Sequence, residues 1–463
     1  MAELSRPKPV ADTSHEPAAG DPLTATAATC TLEPRLQNRN ALIFAGQIAL
    51  IYLAAPALYV GFLQAGLCKR LNTSDTMANL PSTVFLAMAW GPVAVAWLFP
   101  QARLLKKVMG WGYAVTAAIG LGVAAVLLAP SSPALIIGAL VVHAAVLGIT
   151  NGVVNALGWE ALNRGVDARL RGRALGLAYG WGPGCAVVSS LGAQLILDGK
   201  LLGWTPPAWL AIGYPYNYAL LYAGSAGCMA LAAYLASLYR IPVPHLDVER
   251  ETFQTAVVGG FQAVIRNRIL LIACVAYLLM YCGNMVQNNM SIFTREAVGR
   301  SPEDLAGYQL TLRFSFKMLC GFMLGWLLAR TNPKVPLLVT AGLQIAGVLW
   351  VLLVPGYWFL LAFGINGAGE LFGVYYMNYP AQCSPRSQVR RNIAMLALIS
   401  TLVGLSPVLY GWISDTWSLR ASFWAALVLL LFTTALVIVA LPKNPRPRPE
   451  DMRESDLAPQ TPA

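Results

Sequence analysis

The chain has 463 residues, of which 57% are hydrophobic and 11% are charged, and its formal net charge is +11. A soluble globular protein of this length needs about 25% charged residues to cover its surface, so a soluble fold is excluded. Apolar runs of about 20 residues, which is the length that crosses a bilayer as a helix, recur along the chain instead.

The first 40 residues are rich in Ala, Pro and Thr and contain no apolar core of a secretory signal peptide. Twelve apolar runs follow. They are continuously apolar, whereas the strands of a membrane barrel are about 10 residues long and alternate in polarity. The sequence therefore predicts an all-α polytopic membrane protein with transmembrane helices at 41–63, 80–99, 109–129, 134–156, 172–197, 214–239, 269–292, 305–329, 335–354, 358–379, 389–411 and 421–441.

A repeat divides these helices into two groups of six. The segment Leu98–Lys107 recurs in altered form as Gly325–Lys334, each time between two apolar runs, and the longest polar interruption lies between the groups. The predicted organisation is a tail at 1–40, a six-helix bundle at 41–239, a linker at 240–268, a second bundle at 269–441 and a tail at 442–463.

Most Lys and Arg residues fall in the tails and in the loops on the same side as the tails. Because cytoplasmic loops carry an excess of these residues, both termini are predicted to be cytoplasmic, in a plasma or bacterial inner membrane. The positive charge then reflects topology rather than nucleic-acid binding. No nucleotide-binding, metal-binding or hydrolase motif is present, so we expect no cofactor, no metal and no enzymatic activity.

The repeat and the two groups of six resemble the major facilitator superfamily, whose loop motif is Gly-x-x-x-Asp-Arg-x-Gly-Arg-Arg/Lys. The aspartate of that motif is alanine in both copies, Ala102 and Ala329. The resemblance implies two pseudo-symmetric bundles, a central pathway lined by the first, fourth, seventh and tenth helices, and a gating loop. The gating residues would be Arg103, Lys106, Lys107, Arg330 and Lys334, although topology alone explains these cations equally well.

Polar residues inside the spans are expensive and mark the predicted pathway. Several follow one another at four-residue steps, which places them on one face of a helix. The predicted substrate-binding residues are Tyr277, Tyr281, Asn284, Gln287 and Asn288 on the seventh span, Arg313 and Lys317 on the eighth, and Asn151 and Asn155 on the fourth. Glu370 on the tenth span and His143 on the fourth are candidates for proton coupling, and Tyr59 is assigned to packing or to the lining.

These residues favour a monomeric secondary active transporter that moves a small polar or anionic solute by alternating access, with a proton as the coupling ion. Each assignment has an alternative. Glu370 is also suited to a structural ion pair with Lys317 or Arg313, His143 to a place in the packed core, and the amides to bonds between helices. A uniporter or an exporter has the same architecture, and a non-transporting receptor or assembly factor is an alternative of another class.

Overall fold

The computed structural model describes residues 32–99, 101–205, 207, 212–242, 261–262, 264–376, 379, 383, 398 and 401–445. The predicted linker and both tails lie largely outside these residues, as do the basic residues at 386–391. We call residues 32–242 the first half of the chain and residues 264–445 the second half. Helices joined by short turns make up both halves, so the predicted all-α polytopic fold is confirmed.

The helices of the first half are α1 Pro34–Leu53, α2 Ala55–Leu58, α3 Phe62–Arg70, α4 Asp75–Ala87, α5 Gly91–Leu98, α6 Leu105–Leu128, α7 Pro133–Gly165, α8 Ala168–Asp198 and α9 Tyr216–Ser237. Those of the second half are α10 Arg268–Asn284, α11 Gln287–Val298, α12 Ala306–Arg330, α13 Lys334–Leu353, α14 Leu361–Gly369, α15 Phe372–Tyr376, α16 Leu405–Thr416 and α17 Leu419–Ala440.

Within the described residues, eight helical segments are long and apolar enough to cross a membrane when helices that meet at a tight turn are counted together. They coincide with the predicted spans two, three, four, six, seven, eight, nine and twelve. Helices also occupy the first, fifth and tenth predicted spans but fall short of the same limits of length or hydropathy, and the eleventh is described continuously only from residue 401. The number twelve therefore stays a prediction.

Three of the spans that were predicted to line a pathway are broken. The first is interrupted at residues 59–61, the seventh at 285–286 and the tenth at 370–371. The fourth span, α7, is continuous. In transporters, interrupted helices place polar groups near the bilayer midplane, where an unbroken helix would bond its backbone internally.

The chain turns at two faces of the molecule. The tail face contains the turns at 101–105, 165–168 and 330–334, and the far face contains those at 71–75, 129–133, 199–205, 299–305, 353–356 and 416–419. The two halves pack together through α8 against α12 and through α4 against α16. Among the described residues, the hydrogen bonds that join the halves lie at the far face or near the middle of the molecule.

Candidate functional site

The break in the first span is built by a glycine and a glutamine. Gly61 has φ of +127°, a conformation that side-chain-bearing residues rarely adopt. The Gln64 side chain accepts a hydrogen bond from the Gly61 N–H at 3.1 Å and donates one to the Ala57 carbonyl at 2.9 Å. The backbone groups that the break exposes are thereby paired, and Tyr59 is held inside the break.

A buried ion cluster lies on the second half, opposite that break. Arg313 Nε donates to Glu370 Oε2 at 3.2 Å, and a second guanidinium nitrogen contacts Oε1. Lys317 Nζ donates to the same Oε2 atom at 3.2 Å. The side chains of Arg313 and Glu370 are only 2% and 6% exposed, whereas that of Lys317 is 21% exposed. One carboxylate therefore pairs with two cations, and Lys317 is the member that solvent reaches most easily.

Tyr59 joins the first half of the chain to this cluster. Its hydroxyl accepts a hydrogen bond from Arg313 at 2.6 Å and donates one to Glu370 Oε2 at 3.2 Å. The guanidinium carbon of Arg313 also lies 4.4 Å from the centre of the Tyr59 ring and 4.8 Å from that of Phe62. Aromatic faces stabilise a desolvated cation, so the first half both bonds and shields the arginine of the second.

Small residues bring the tenth span close to the eighth. A Cβ atom on Gly367 would lie 2.5 Å from the carbonyl oxygen of Arg313, and one on Gly364 would lie 2.8 Å from the ring of Phe316. Glu370 follows directly after α14 ends at Gly369, and its N–H still bonds to the carbonyl of Asn366 at 2.9 Å. Close helix packing and the end of a helix together place the carboxylate against both cations.

The charge of the cluster is unbalanced. With all three groups ionised, Arg313, Lys317 and Glu370 carry a net charge of +1, and within the described part of the chain no other carboxylate forms an ion pair with either cation. Buried charges are stable only when paired and hydrogen-bonded. The arrangement is therefore suited to accept one further negative group beside Lys317.

The predicted residues of the seventh span lie around its break. Asn284 accepts a hydrogen bond from Gln344 at 2.9 Å, so this amide is engaged in helix packing. Gln287 and Asn288 are buried, and Oε1 of the first and Nδ2 of the second have no hydrogen-bond partner among the described residues. Buried amides without partners are costly, which is expected where a polar ligand or water completes them.

Asn288 also connects this break to that of the first span. A Cβ atom on Gly61 would collide with the Asn288 side chain, so the two breaks are in contact. Tyr277 and Tyr281 extend the same helix with rings 5.7 Å apart, and both rings pack against Phe372, just after the break in the tenth span. The three broken spans thus meet around one region.

The polar residues of the fourth span make their contacts within the first half of the chain. The side-chain NH2 group of Asn155 donates hydrogen bonds to the backbone oxygen of Asn151 at 2.8 Å and to its side-chain oxygen at 3.1 Å, both within α7. His143 is buried edge-on against the Tyr222 ring at 5.3 Å, and its nitrogens have no partner in the part of the chain that the structure describes. None of the contacts found for these residues reaches the ion cluster.

The predicted gating cations bond within their own halves. Arg103 donates to the Gln101 side chain at 2.7 Å, and Arg330 lies over the ring of Trp326 at 4.4 Å. Lys334 donates to the carbonyls of Ile438 and Leu441 at 2.6 and 2.7 Å, at the end of α17, where a cation stabilises the negative end of the helix. Lys106 and Lys107 lie in the first turn of α6.

These features define a polytopic helical membrane protein with a buried ion cluster where its two halves meet. The family model described as Major Facilitator Superfamily matches residues 274–460. The likeness of fold to solved structures also covers the first half of the chain. The resemblance to the major facilitator superfamily is confirmed, and the chain has the fold of its transporters.

Several solved transporters share this fold at low sequence identity. A mutant of the nucleoside transporter NupG superposes with a TM-score of 0.64 at 12% identity, covering 86% of this chain and 99% of its own. A D-xylose-proton symporter gives 0.63 at 14% identity, covering 88% and 98%. The peptide transporter POT in complex with sulfate gives 0.61 at 12% identity, covering 86% and 94%. No curated protein matches the chain.

Proposed function

We propose that the protein is a secondary active transporter that couples the movement of a small polar or anionic solute to that of a proton. One observation carries the proposal: Glu370 is shared by Arg313 and Lys317 at a helix break, and Tyr59 of the other half completes the cluster. A structural ion pair needs one cation for one carboxylate. A second cation at the more exposed edge gives the cluster a binding function.

The excess positive charge of the cluster favours a solute that carries a negative group. Lys317 is the most exposed member of the cluster and has one carboxylate to share with Arg313, so a carboxylate or phosphate group of the solute would bind it in place of Glu370. The unpartnered amides of Gln287 and Asn288 would orient the polar part of the solute. Tyr277 and Tyr281 would supply its apolar and aromatic surface.

Proton coupling follows from the same competition. When the solute takes Lys317, Glu370 loses part of the positive charge that keeps it ionised in a buried position. The carboxylate then gains affinity for a proton, and the proton and the solute bind cooperatively. The fold is compatible with this chemistry, since one structure that shares it is a D-xylose-proton symporter.

Movement between two states would use the contacts that cross the halves. Tyr59 bonds to both Arg313 and Glu370, so a change in the partners of Glu370 also changes the contact between the halves. Alternating access requires such a link between occupancy and geometry. We further propose that the protein acts as a monomer in the cell membrane, with both termini in the cytoplasm.

The test is uptake by purified protein in liposomes, using a panel of labelled carboxylates, phosphates, sugars and nucleosides, with and without an inward proton gradient. Accumulation of an anionic solute that requires the gradient supports the proposal. Equilibration that ignores the gradient would identify a uniporter instead. Binding without any exchange of solute would favour a receptor.

A further inference from the structure

The far face of the molecule is held together by carboxylates that cross from one half to the other. Asp415, at the end of α16, accepts hydrogen bonds from the backbone N–H of Asp75 at 2.8 Å and of Thr76 at 2.9 Å. It also accepts one from the Thr76 hydroxyl at 2.5 Å. Residues 75 and 76 are the first two of α4. Asp415 of the second half therefore caps a helix of the first half.

A carboxylate such as that of Asp415 is stabilised at the N-terminus of a helix. The first N–H groups of a helix have no partner within it and form its positive end. The side chain of Ser74, the residue before α4, accepts a bond from the N–H of Met77, and the N–H groups of Asp75 and Thr76 bond to Asp415. Burial alone would raise the pKa of Asp415, but the hydrogen bonds from Thr76 and the backbone hold that pKa below its ordinary value.

The packing beside the cap is tight. A Cβ atom on Gly411, one turn before Asp415, would lie 2.7 Å from the carbonyl oxygen of Asp75 and from the Cα of Thr76. A second carboxylate, that of Asp75, accepts bonds from Lys69 at 2.8 Å and from the Ser414 hydroxyl at 2.5 Å. The ends of α4 and α16 are thus fixed to each other by backbone approach and by polar contacts in both directions.

Two further carboxylates bridge the halves on the same face. Glu303 accepts bonds from Arg70 at 2.5 Å and from the Tyr218 hydroxyl at 2.6 Å, both from the first half. Asp198 of the first half accepts one from Arg300 of the second at 2.9 Å. The cap and the two ion pairs lie at different helix ends, so they fasten the far face at three points.

A cavity of about 260 Å³ separates two of these points. Its lining includes Lys69, Arg70, Asp75, Arg295 and Glu303. Solvent ions that enter this cavity would screen the pair between Arg70 and Glu303, whose side chains are 40% and 14% exposed. The cap at Asp415, which consists of hydrogen bonds to backbone groups, depends less on salt.

The tail face has no equivalent among the described residues. The loop motif has alanine at 102 and 329, where a carboxylate would stand, and Lys334 and Arg103 bond within their own halves. We propose that Asp415, Glu303 and Asp198 form a far-face latch that makes the state closed at this face the resting state of the empty transporter. Opening the face requires that the cap and both ion pairs break together.

The latch can be tested without any transported solute. Spin labels at Ala129→Cys and Leu353→Cys, both exposed at the far face on opposite halves, report its opening in liposomes once the native cysteines are replaced. In Asp415→Asn, the ratio of open to closed molecules should rise about tenfold, because a charged acceptor at a helix end is replaced by a neutral one. Glu303→Gln should raise the ratio too, with a smaller effect in high salt.

Glu160→Gln is the matched control, because Glu160 pairs with Arg164 inside α7 and its loss removes the same charge without touching the latch. Distance distributions of Asp415→Asn and Glu303→Gln that match those of this control would overturn the proposal. If Asp415→Asn does not fold, Glu303→Gln alone decides the outcome. A failure of the proposed transport function leaves this measurement unchanged.

Discussion

Replacing Glu370 by Gln removes the one carboxylate of the ion cluster and keeps its size. At 3.2 Å, the separation of Lys317 Nζ and Glu370 Oε2, the attraction of a single pair is about 5 kcal/mol at an effective dielectric constant of about 20. Breaking a buried pair by removing one partner typically costs about 3–5 kcal/mol, because a buried charge is left without compensation. We therefore expect a less stable protein that no longer binds the coupling proton.

The assay compares wild type with Glu370→Gln in two modes of transport. A pH difference of about 2 units can drive accumulation of a solute moved with one proton by at most about 100-fold, because each unit corresponds to about 1.4 kcal/mol. Glu370→Gln should reduce this ratio to about one. Exchange of labelled for unlabelled solute at equal pH should survive, since exchange needs no net movement of protons.

Gradient-driven accumulation at the wild-type level in Glu370→Gln would refute the role of Glu370. Loss of both modes would indicate that the carboxylate is needed for the structure of the site, and a thermal unfolding curve of the same preparation would show it. Glu160→Gln is again the control, because its ion pair with Arg164 lies within one helix and apart from the cluster.

Three other substitutions test the anion site, the break in the first span and the end of α17. Lys317→Met should raise the KM for anionic solutes by about 10- to 100-fold and leave neutral ones unaffected, because a hydrogen bond to a charged group contributes about 1.5–3 kcal/mol. Gly61→Ala should abolish transport or expression, since φ of +127° strains any residue with a side chain. The control is Gly122→Ala, which has open space around it and should leave both transport and expression unchanged. Lys334→Met should lower the free energy of unfolding by about 0.3–1 kcal/mol, because the C-terminal end of α17 loses its cation. The measurement is Tm in detergent, and the control Lys107→Met should leave Tm unchanged.

The sequence predicted the ion cluster in part. Arg313, Lys317 and Glu370 attract attention because charges inside apolar spans are rare and expensive, and helix rise places them at similar depth. Whether Glu370 pairs with one cation, with both or with neither depends on the rotation of two helices about their axes. That rotation is set by Gly364 and Gly367, whose contacts are visible only in three dimensions.

Tyr59 was assigned only to packing or lining, and the sequence carried a signal that this assignment left unused. Pro56 and Gly61 interrupt an apolar span, and interrupted spans mark binding sites in transporters. At the fourth span, periodicity allows two interpretations. Asn151 and Asn155 share a face, as a lining stripe requires, but an Asn side chain can also bond to the carbonyl one turn earlier, and Asn155 does so. Periodicity shows a shared face without showing what that face contacts.

The spacing of glycines in the fifth span likewise does not show which of them lie close to a neighbouring helix. The spacing of Gly176, Gly180 and Gly184 predicts close helix packing, but a Cβ atom on Gly176 or Gly184 would meet nothing within 4 Å. Gly182, outside that pattern, is the residue whose Cβ would collide with the Tyr52 ring. Of the three predicted glycines, only Gly180 approaches a neighbour, since its Cβ would lie 3.8 Å from the Phe322 ring. Spacing fixes which glycines share a face and not which face meets the neighbouring helix.

The helix α3 connects the ion cluster to the far-face latch. It begins directly after the break that holds Tyr59 and ends at Arg70, the partner of Glu303, so its nine residues span about 13 Å between the two sites. A rigid helix cannot absorb a displacement at one end without moving the other. Under the proposed mechanism, a solute that draws Glu370 away from Lys317 also changes the contact of Tyr59, and α3 carries that change to Arg70. Solute binding at the ion cluster and the closure of the far face would then be coupled through the movement of α3.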